Sequence, residues 1–520
     1  MFEFLLFDNE SQADMFQNIP ENPLIYENLH LNIIENKLCT FSEHFPVRYF
    51  RKMHCDAKLA EYRNQIFREI GTAVSVKQIE HIFSQTKRWE NLYNEACNSS
   101  HPLQRRFMYV WVLSSYFDLI DTIIDFLSEF SSEGIQKMCD FFTRYLETPS
   151  ICHAKSAANN AKHMLMDNLH ISLCVDFSRK HLTLSPILQE VSADLDELDS
   201  LCNELTQIKV LEEISVICNE SFTEIEKEAL IFVLEKNEQL RECIDHIPQI
   251  SFMLDEVRSL NQQLAFYYAY YKLVFQLSEK GIPFCFPTFD KQSVIRCTDL
   301  YDISLSISKM ENLKFVQTGN DITLSNEFQG FVLTGANQGG KTTYLRSVGL
   351  VVYLAMMGFP VACRNAVLYP FKTIVCLFCG EEVQETTLSR FEREIKQYLS
   401  ICDSIDEDTI VLLNEYFSGT NRQDAVKILQ SCIDHLLTQK AIFGCVTHFQ
   451  EVYNLLGESC NRRIIYLRAE VIGDELLRTY RINQAIPDGR AYSETITARY
   501  GLTYKDLSVL FQENQKKKSV

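Results

Sequence analysis

Glycine is scarce in this chain, 17 in 520 residues, and proline (12) and tryptophan (2) are scarcer still. That excludes collagen-like repeats, flexible Gly/Ser linkers and polyproline rods, and any local cluster of glycines therefore calls for a reason. Positive charge is also short: 50 Lys and Arg face 69 Asp and Glu, a formal charge of -19. A general polyanion binder is excluded, so nucleic-acid contact has to come from a local basic surface or an enclosing shape. The longest apolar stretch, "GLVVYLAMMGFPVAC" from Gly349, is too short to span a membrane and reads as a core helix. The opening "MFEFLLFDNE" carries acids where a signal peptide needs bases, so a cytoplasmic protein without membrane attachment is expected. The 18 cysteines have no regular spacing and read as reduced thiols. One C-x-x-C, Cys376 to Cys379, sits in an apolar strand-like run with no second pair nearby, and buried structural thiols are expected there.

What is present is a globular composition, 46% hydrophobic and 23% charged, long enough for several domains. Residues 1–75 read as a mixed region, a short strand followed by helical segments. Residues 76–280 read as almost wholly helical, with apolar residues at three- and four-residue spacing. "RRFMYVWVLSSYFDLIDTIIDFLSEF" is apolar nearly all round and predicts an inner helix. The aromatic ladder in "SLNQQLAFYYAYYKLVFQLSEKG" is at helical spacing and predicts core packing ahead of base stacking. Residues 190–245 hold 16 Asp or Glu against four Lys or Arg and predict the solvated face of an antiparallel helical arm. From residue 281 to 520 short strands and helices alternate, predicting an α/β domain with a largely parallel sheet.

Glycine does cluster once. "FVLTGANQGGKTTYLR", from Phe331 to Arg346, fits GxxxxGK[ST] at Gly335, Gly340, Lys341 and Thr342, between a β-type run and a helix-period run. This is the pattern of a phosphate cradle: glycines let successive N–H groups face phosphate oxygens, and the following helix adds its positive end. Lys341 reaches the β and γ phosphates in such a loop, and the hydroxyl of Thr342 ligates Mg²⁺. A second strand, "DTIVLLNEYFSGTNRQDA", ends in Asn414 and Glu415, where an acid for the metal and an acid for the attacking water are expected. Glu415 can orient or deprotonate water. Asn414 offers the metal an amide oxygen without charge, so metal binding is expected to be weak and hydrolysis slow. A third strand, "KAIFGCVTH", ends in His448, placed to sense the γ-phosphate. Thr387, Ser389 and Phe391 precede a helix whose N-terminus is suited to a second phosphate.

The order of these elements resembles the MutS mismatch-repair ATPases. "GANQGGKTTYLR" is close to their GPNxxGKSTYLR, "NEYFSGTNRQDA" follows their DExxxGTxxxDG, "VTHFQEV" matches ATHxxEL, and "LSRFEREI" matches STFxxEM. "KFVQTGNDITL" is similar to their FxPNDI, two residues longer, and "PDGRAYSETITARYGL" to their closing motif. The resemblance spans about Phe315 to Leu502. It implies a multidomain protein, a long helical core, lever and arm region followed by an α/β P-loop ATPase domain of ABC type. It implies ATP and Mg²⁺ as cofactors, with Phe315 stacked on adenine, Asn320 nearby, and Asn337 and Gly339, Gly340, Lys341, Thr342 and Thr343 on the phosphates and metal. It further implies a homodimer through the ATPase domains. Ser389 and Phe391 would complete the opposite subunit's site, and Asp424 would lie at the seam.

"LLNE", "RFEREI" and "PDGRAY" are similar to short stand-alone bacterial members of the family. The roughly 315 residues before the motifs leave no room for the mismatch-reading and connector domains together with core and clamp, and no GxFYE wedge is present. The expected ligand is structured DNA held by shape inside paired arms, with direct mismatch recognition not expected. An ATP-gated switch acting on a protein or ribonucleoprotein through the acidic arm is the alternative. A small-molecule kinase uses the same loop but has no need of the seam residues.

Overall fold

The computed structural model describes residues 3–168, 171–176, 181–186, 231, 234–235, 237–291, 295–312, 316–325, 327–378, 389–472, 477–487 and 507–508. The acidic run of residues 190–245 lies mostly outside them, as do Phe315, Cys379, Thr387 and the closing motif beyond Pro487. The chain falls into two compact units, Met1–Leu5 with Glu69–Leu264, and Leu6–Arg68 with Ala265–Val520. A helical region thus precedes an α/β region with mixed sheets.

The first unit is built on long helices, Ala73–Asn98, Pro102–Ser128, Glu133–Leu146 and Pro149–Asn168. Thr72 starts the first by accepting a hydrogen bond from the Ser75 N–H (3.1 Å), and Pro102 occupies the first turn of the second, where its missing N–H costs nothing. Helix Pro102–Ser128 buries apolar residues along most of its length, from Phe107 to Leu127, while Arg105, Arg106, Asp118 and Asp125 stay exposed. Among the described residues it alone is long and apolar enough to cross a membrane, and 67% of its most apolar window is buried. Trp89 packs edge-on to Phe252 and donates from Nε1 to the Val112 carbonyl at 3.2 Å, so its one polar atom is satisfied in the core. Within residues 76–280 the structure adds an antiparallel hairpin, β1 (Ile171–Asp176) and β2 (His181–Pro186), where a helix was expected. The apolar–polar alternation of "ISLCVD" and "HLTLSP" has the period of a strand, and that local period prevails over the helical surroundings. The strand expected at the N-terminus is likewise absent: residues 4–6 form a turn that buries Leu5 and Leu6.

The second unit contains two sheets. A small one has the order β3 (Thr288–Phe289), β7 (Asn365–Leu368), β4 (Ile295–Leu300), β5 (Asn320–Leu324). The large one has the order β12 (Leu477–Gln484), β11 (Ile464–Ile472), β6 (Gly330–Thr334), β10 (Ile442–Val446), β9 (Thr409–Asn414), β8 (Thr373–Phe378). All of its neighbouring strands are parallel except the β11–β12 edge pair. Every residue of β6, β9 and β10 is buried, as continuous apolar runs must be in a sheet covered on both faces. The N-terminal helices of this unit pack on the helix Lys341–Met356. Gly349 permits it: a Cβ there would stand 2.5 Å from Leu29 Cδ2. The Asn28 amide donates to the Cys376 carbonyl (2.9 Å), and Arg346 Nε to the Asn28 carbonyl (3.3 Å). Cys376 is a buried thiol, and no group of His, Cys, Asp and Glu suited to a metal occurs among the described residues. The aromatic ladder is core: Phe266, Tyr267 and Tyr270 are at most 1% exposed.

Candidate functional site

In a parallel sheet the strands deliver their C-terminal ends to one edge, which is where ligands bind in open α/β folds. Here β6, β9 and β10 end side by side, with Val446 opposite both Leu333 and Asn414. The loop after β6 turns through positive φ at Gly335 (124°), Gln338 (60°) and Gly340 (90°) before the helix begins at Lys341. A side chain at Gly335 would be strained by that angle and would meet the Ala469 backbone nitrogen at 3.1 Å.

Lys341 is only 4% exposed, and its Nζ donates to the carbonyls of Gly335 (2.9 Å) and Ala336 (3.0 Å). The lysine lies folded over its own loop. Burial lowers its pKa, and the nearby Glu415 carboxylate opposes that shift. Thr342 Oγ1 donates to Asn414 Oδ1 at 3.0 Å, linking two residues 72 positions apart in the chain. Glu415 follows Asn414 in a left-handed backbone (φ 51°), with its N–H bonded to the Val446 carbonyl at 2.8 Å. Its Oε1 stands 3.0 Å from His448 Nε2. That hydrogen bond holds the Glu415 carboxyl below the usual carboxylate range against the opposing effect of burial, and the charges of Lys341 and Arg390 act in the same direction.

Lys341, Thr342 and Glu415 border a cavity of about 660 Å³, within the range of small-molecule sites. Asn337, Gly340 and Thr343 of the loop and helix start also line it, as do Leu300, Leu305, Val316 and Gln317. Asp302, another lining residue, is a fully buried carboxylate paired with Arg346 at 3.1 Å. Gln317 is held at the same place: its amide nitrogen donates to Ser306 Oγ (2.7 Å), and its oxygen accepts from the Asp302 N–H (2.8 Å).

Residues 331–502 match MutS domain V. The chain is MutS-related. Among curated proteins it is similar to Endonuclease MutS2 of Solidesulfovibrio magneticus, 35% identical over 130 residues, which are 25% of this chain and 17% of that protein. It is also similar to Endonuclease MutS2 of Shouchella clausii, 28% identical over 306 residues, 58% of this chain and 34% of that protein. Endonuclease MutS2 of Clostridium botulinum is 31% identical over 184 residues, 35% of this chain and 23% of that protein. The matched part of this MutS-related chain therefore spans no more than 34% of the length of these relatives.

Not every residue singled out in the sequence of this MutS-related chain reaches the cavity. Asn320 borders it, but its amide is spent on joining the two sheets: it donates to the Tyr480 carbonyl (3.1 Å) and accepts from the Ile482 N–H (2.8 Å). Gly335 and Gly339 shape the loop. Asn414 and His448, which bond to the lining residues Thr342 and Glu415, and Ser389, Phe391 and Asp424 are not among the residues that line the cavity. Ser389 caps the helix Arg390–Cys402 in a reciprocal pair with Glu392: its hydroxyl accepts from the Glu392 N–H (3.2 Å), and its N–H donates to Glu392 Oε2 (3.0 Å). Phe391 is half-buried against the core under β9 and β10. Asp424 is exposed in the first turn of helix Arg422–Thr438, where Asn421 caps it by accepting from the Asp424 N–H (3.0 Å). Phe315 lies outside the described residues. Tyr480 was not foreseen. It lines the cavity with a left-handed backbone (φ 60°), its ring 3.5 Å from where a Gly340 Cβ would stand. No motif marks it, because strand β12 reaches the loop only through the fold.

Proposed function

We propose that this chain is an ATPase of the MutS type, in which the cavity beside Lys341 binds Mg²⁺-ATP and Glu415 activates the attacking water. The observation that carries this reading is the Thr342–Asn414 hydrogen bond, which joins the strand-end amide to the loop hydroxyl that lines the cavity together with Lys341 and Glu415. Phosphates replace the Gly335 and Ala336 carbonyls as partners of Lys341, and loop N–H groups face them. Thr342 Oγ1 and Asn414 Oδ1 are hard oxygen donors and fit Mg²⁺, which when bound neutralises phosphate charge. Asn414 brings no charge, so the metal is held weakly and turnover is slow. Glu415, ionised and hydrogen-bonded to His448, accepts a proton from water, and His448 turns toward the γ-phosphate.

The domain V match and the relatives named Endonuclease MutS2 support two further elements of the proposal. Two copies pair through domains of ABC type, each completing the other's site with Ser389 and Phe391 and placing Asp424 at the seam. Ser389 and Asp424 lie outside their own cavity, as a role across an interface requires. Residues 76–280 act as core and lever, and the assembly works in the cytoplasm on structured DNA, gripped by shape because the chain carries a charge of -19.

Turnover of ATP by the purified protein, alone and with homoduplex, mismatched and branched DNA at low and physiological salt, tests this. The expected result is slow basal turnover stimulated by one DNA structure. The 16 acids among residues 190–245 favour a second reading, a switch for a protein or ribonucleoprotein partner, which predicts ATP turnover indifferent to every DNA. Absence of ATP binding contradicts both.

A further inference from the structure

The turn that carries Glu415 holds two non-glycine residues in the left-handed region, Glu415 (φ 51°) and Phe417 (φ 62°). Such a backbone persists only where its surroundings over-determine it. Two ties come from one helix, Arg390–Cys402. The Tyr416 hydroxyl reaches the Glu394 carbonyl (3.0 Å) and Gln397 Oε1 (2.7 Å). At the helix start, Arg390 Nη2 donates to Ser418 Oγ (2.8 Å) while its Nε donates to Glu394 Oε1 (3.1 Å). Glu394 is only 5% exposed, so the guanidinium is anchored from below by a buried carboxylate and aims its other nitrogen across at the turn. Gly419 closes the arrangement, since a Cβ there would stand 3.4 Å from the Phe391 nitrogen and 3.5 Å from Arg390 Cγ.

We infer that Arg390 is a positioning residue for Glu415: from the first turn of its helix it fixes the Ser418 side of the turn that carries the carboxylate. The inference rests on the ATPase reading. It differs from an ordinary helix-surface ion pair because the pair Arg390–Glu394 serves as a platform for a third bond, to a residue 28 positions away. Three cationic or titratable groups face Glu415 from different elements: His448 after β10, Lys341 at the head of its helix, and Arg390. Arg390 and the Tyr416 hydroxyl both tie the turn to the helix headed by Ser389, and Arg390 does so from the helix's first turn, so a shift of that end reaches the catalytic turn through it.

The test compares wild type, Arg390→Ala, Arg390→Lys and Ser418→Ala in Mg²⁺-ATP turnover, with thermal unfolding as the check on folding. For Arg390→Ala we expect kcat to fall roughly 10- to 100-fold, the scale of a misplaced catalytic group, with KM for ATP unchanged. Arg390→Lys restores part of kcat. Ser418→Ala lowers kcat with KM unchanged, and it carries the test should Arg390→Ala not fold. If wild type hydrolyses ATP and both Arg390→Ala and Ser418→Ala match it in kcat, the inference alone is overturned. If wild type does not hydrolyse ATP, the ATPase reading falls and the inference with it.

Discussion

Lys341→Ala separates nucleotide binding from stability. In the structure Lys341 is 4% exposed, and among the described residues its Nζ bonds to two carbonyls of its own loop and to no carboxylate. Removing it leaves two carbonyls short of a donor, a cost of about 1–3 kcal/mol each at most. It also removes a cation that burial disfavours, a relief of similar size. The two effects oppose each other, so the stability of the ligand-free protein should change by no more than about 1 kcal/mol. Affinity behaves differently. A lysine shared between two phosphates makes two charge-assisted hydrogen bonds of roughly 1.5–3 kcal/mol each, so its loss weakens ATP binding by about 10²- to 10⁴-fold. Urea unfolding measures the first quantity, and equilibrium titration with a fluorescent ATP analogue the second. A variant that is strongly destabilised yet binds ATP like wild type would refute the reasoning.

Asn414→Asp supplies the missing charge beside Thr342. We expect ATP binding to need less Mg²⁺, by roughly fivefold or more, since two opposite unit charges about 4 Å apart are worth about 1 kcal/mol even in water. The ligand-free variant should unfold at lower temperature, because a carboxylate now sits next to Glu415 at a site only 8% exposed; titration of Mg²⁺ against bound nucleotide and a melt in EDTA check both. His448→Ala removes the largest influence lowering the Glu415 pKa, so the acid limb of kcat should move to higher pH. The same sign holds for stability: a depressed carboxyl stabilises the fold above its unfolded pKa, and the benefit is lost as pH falls through the folded value. A pH–rate profile and pH-dependent melts of the variant against wild type decide it.

The phosphate loop was legible because it is local: the eight residues from Gly335 to Thr342, of fixed spacing between a strand and a helix, specify their own backbone. Glu415 and His448 were legible once their strands were read as parallel, since parallel strands bring their ends to the same edge. Residues whose roles depend on the fold were not. Asn320 borders the cavity where its motif puts it, but nothing in that motif says that the fold also ties its amide to Tyr480 and Ile482 of β12. Arg390 stands beside a residue that the motif highlights, and nothing in its own neighbourhood says that it reaches Ser418. The packing of Asn28 and Leu29 against the helix after the loop bridges more than three hundred positions and leaves no periodic trace. The hairpin β1–β2 was there to be read in its alternation, and the helical pattern around it outweighed that signal. The apolar start "FLLF" was too short to separate strand from turn.

The central claim is that Glu415 performs ATP hydrolysis in the cavity that Lys341 helps to form. The most direct measurement is single-turnover conversion of ATP to ADP by wild type and Glu415→Gln, each first shown to bind ATP. The account requires wild type to form ADP and Glu415→Gln to hold ATP with similar affinity while forming ADP at least about 100-fold more slowly. Equal rates in the two proteins would contradict it.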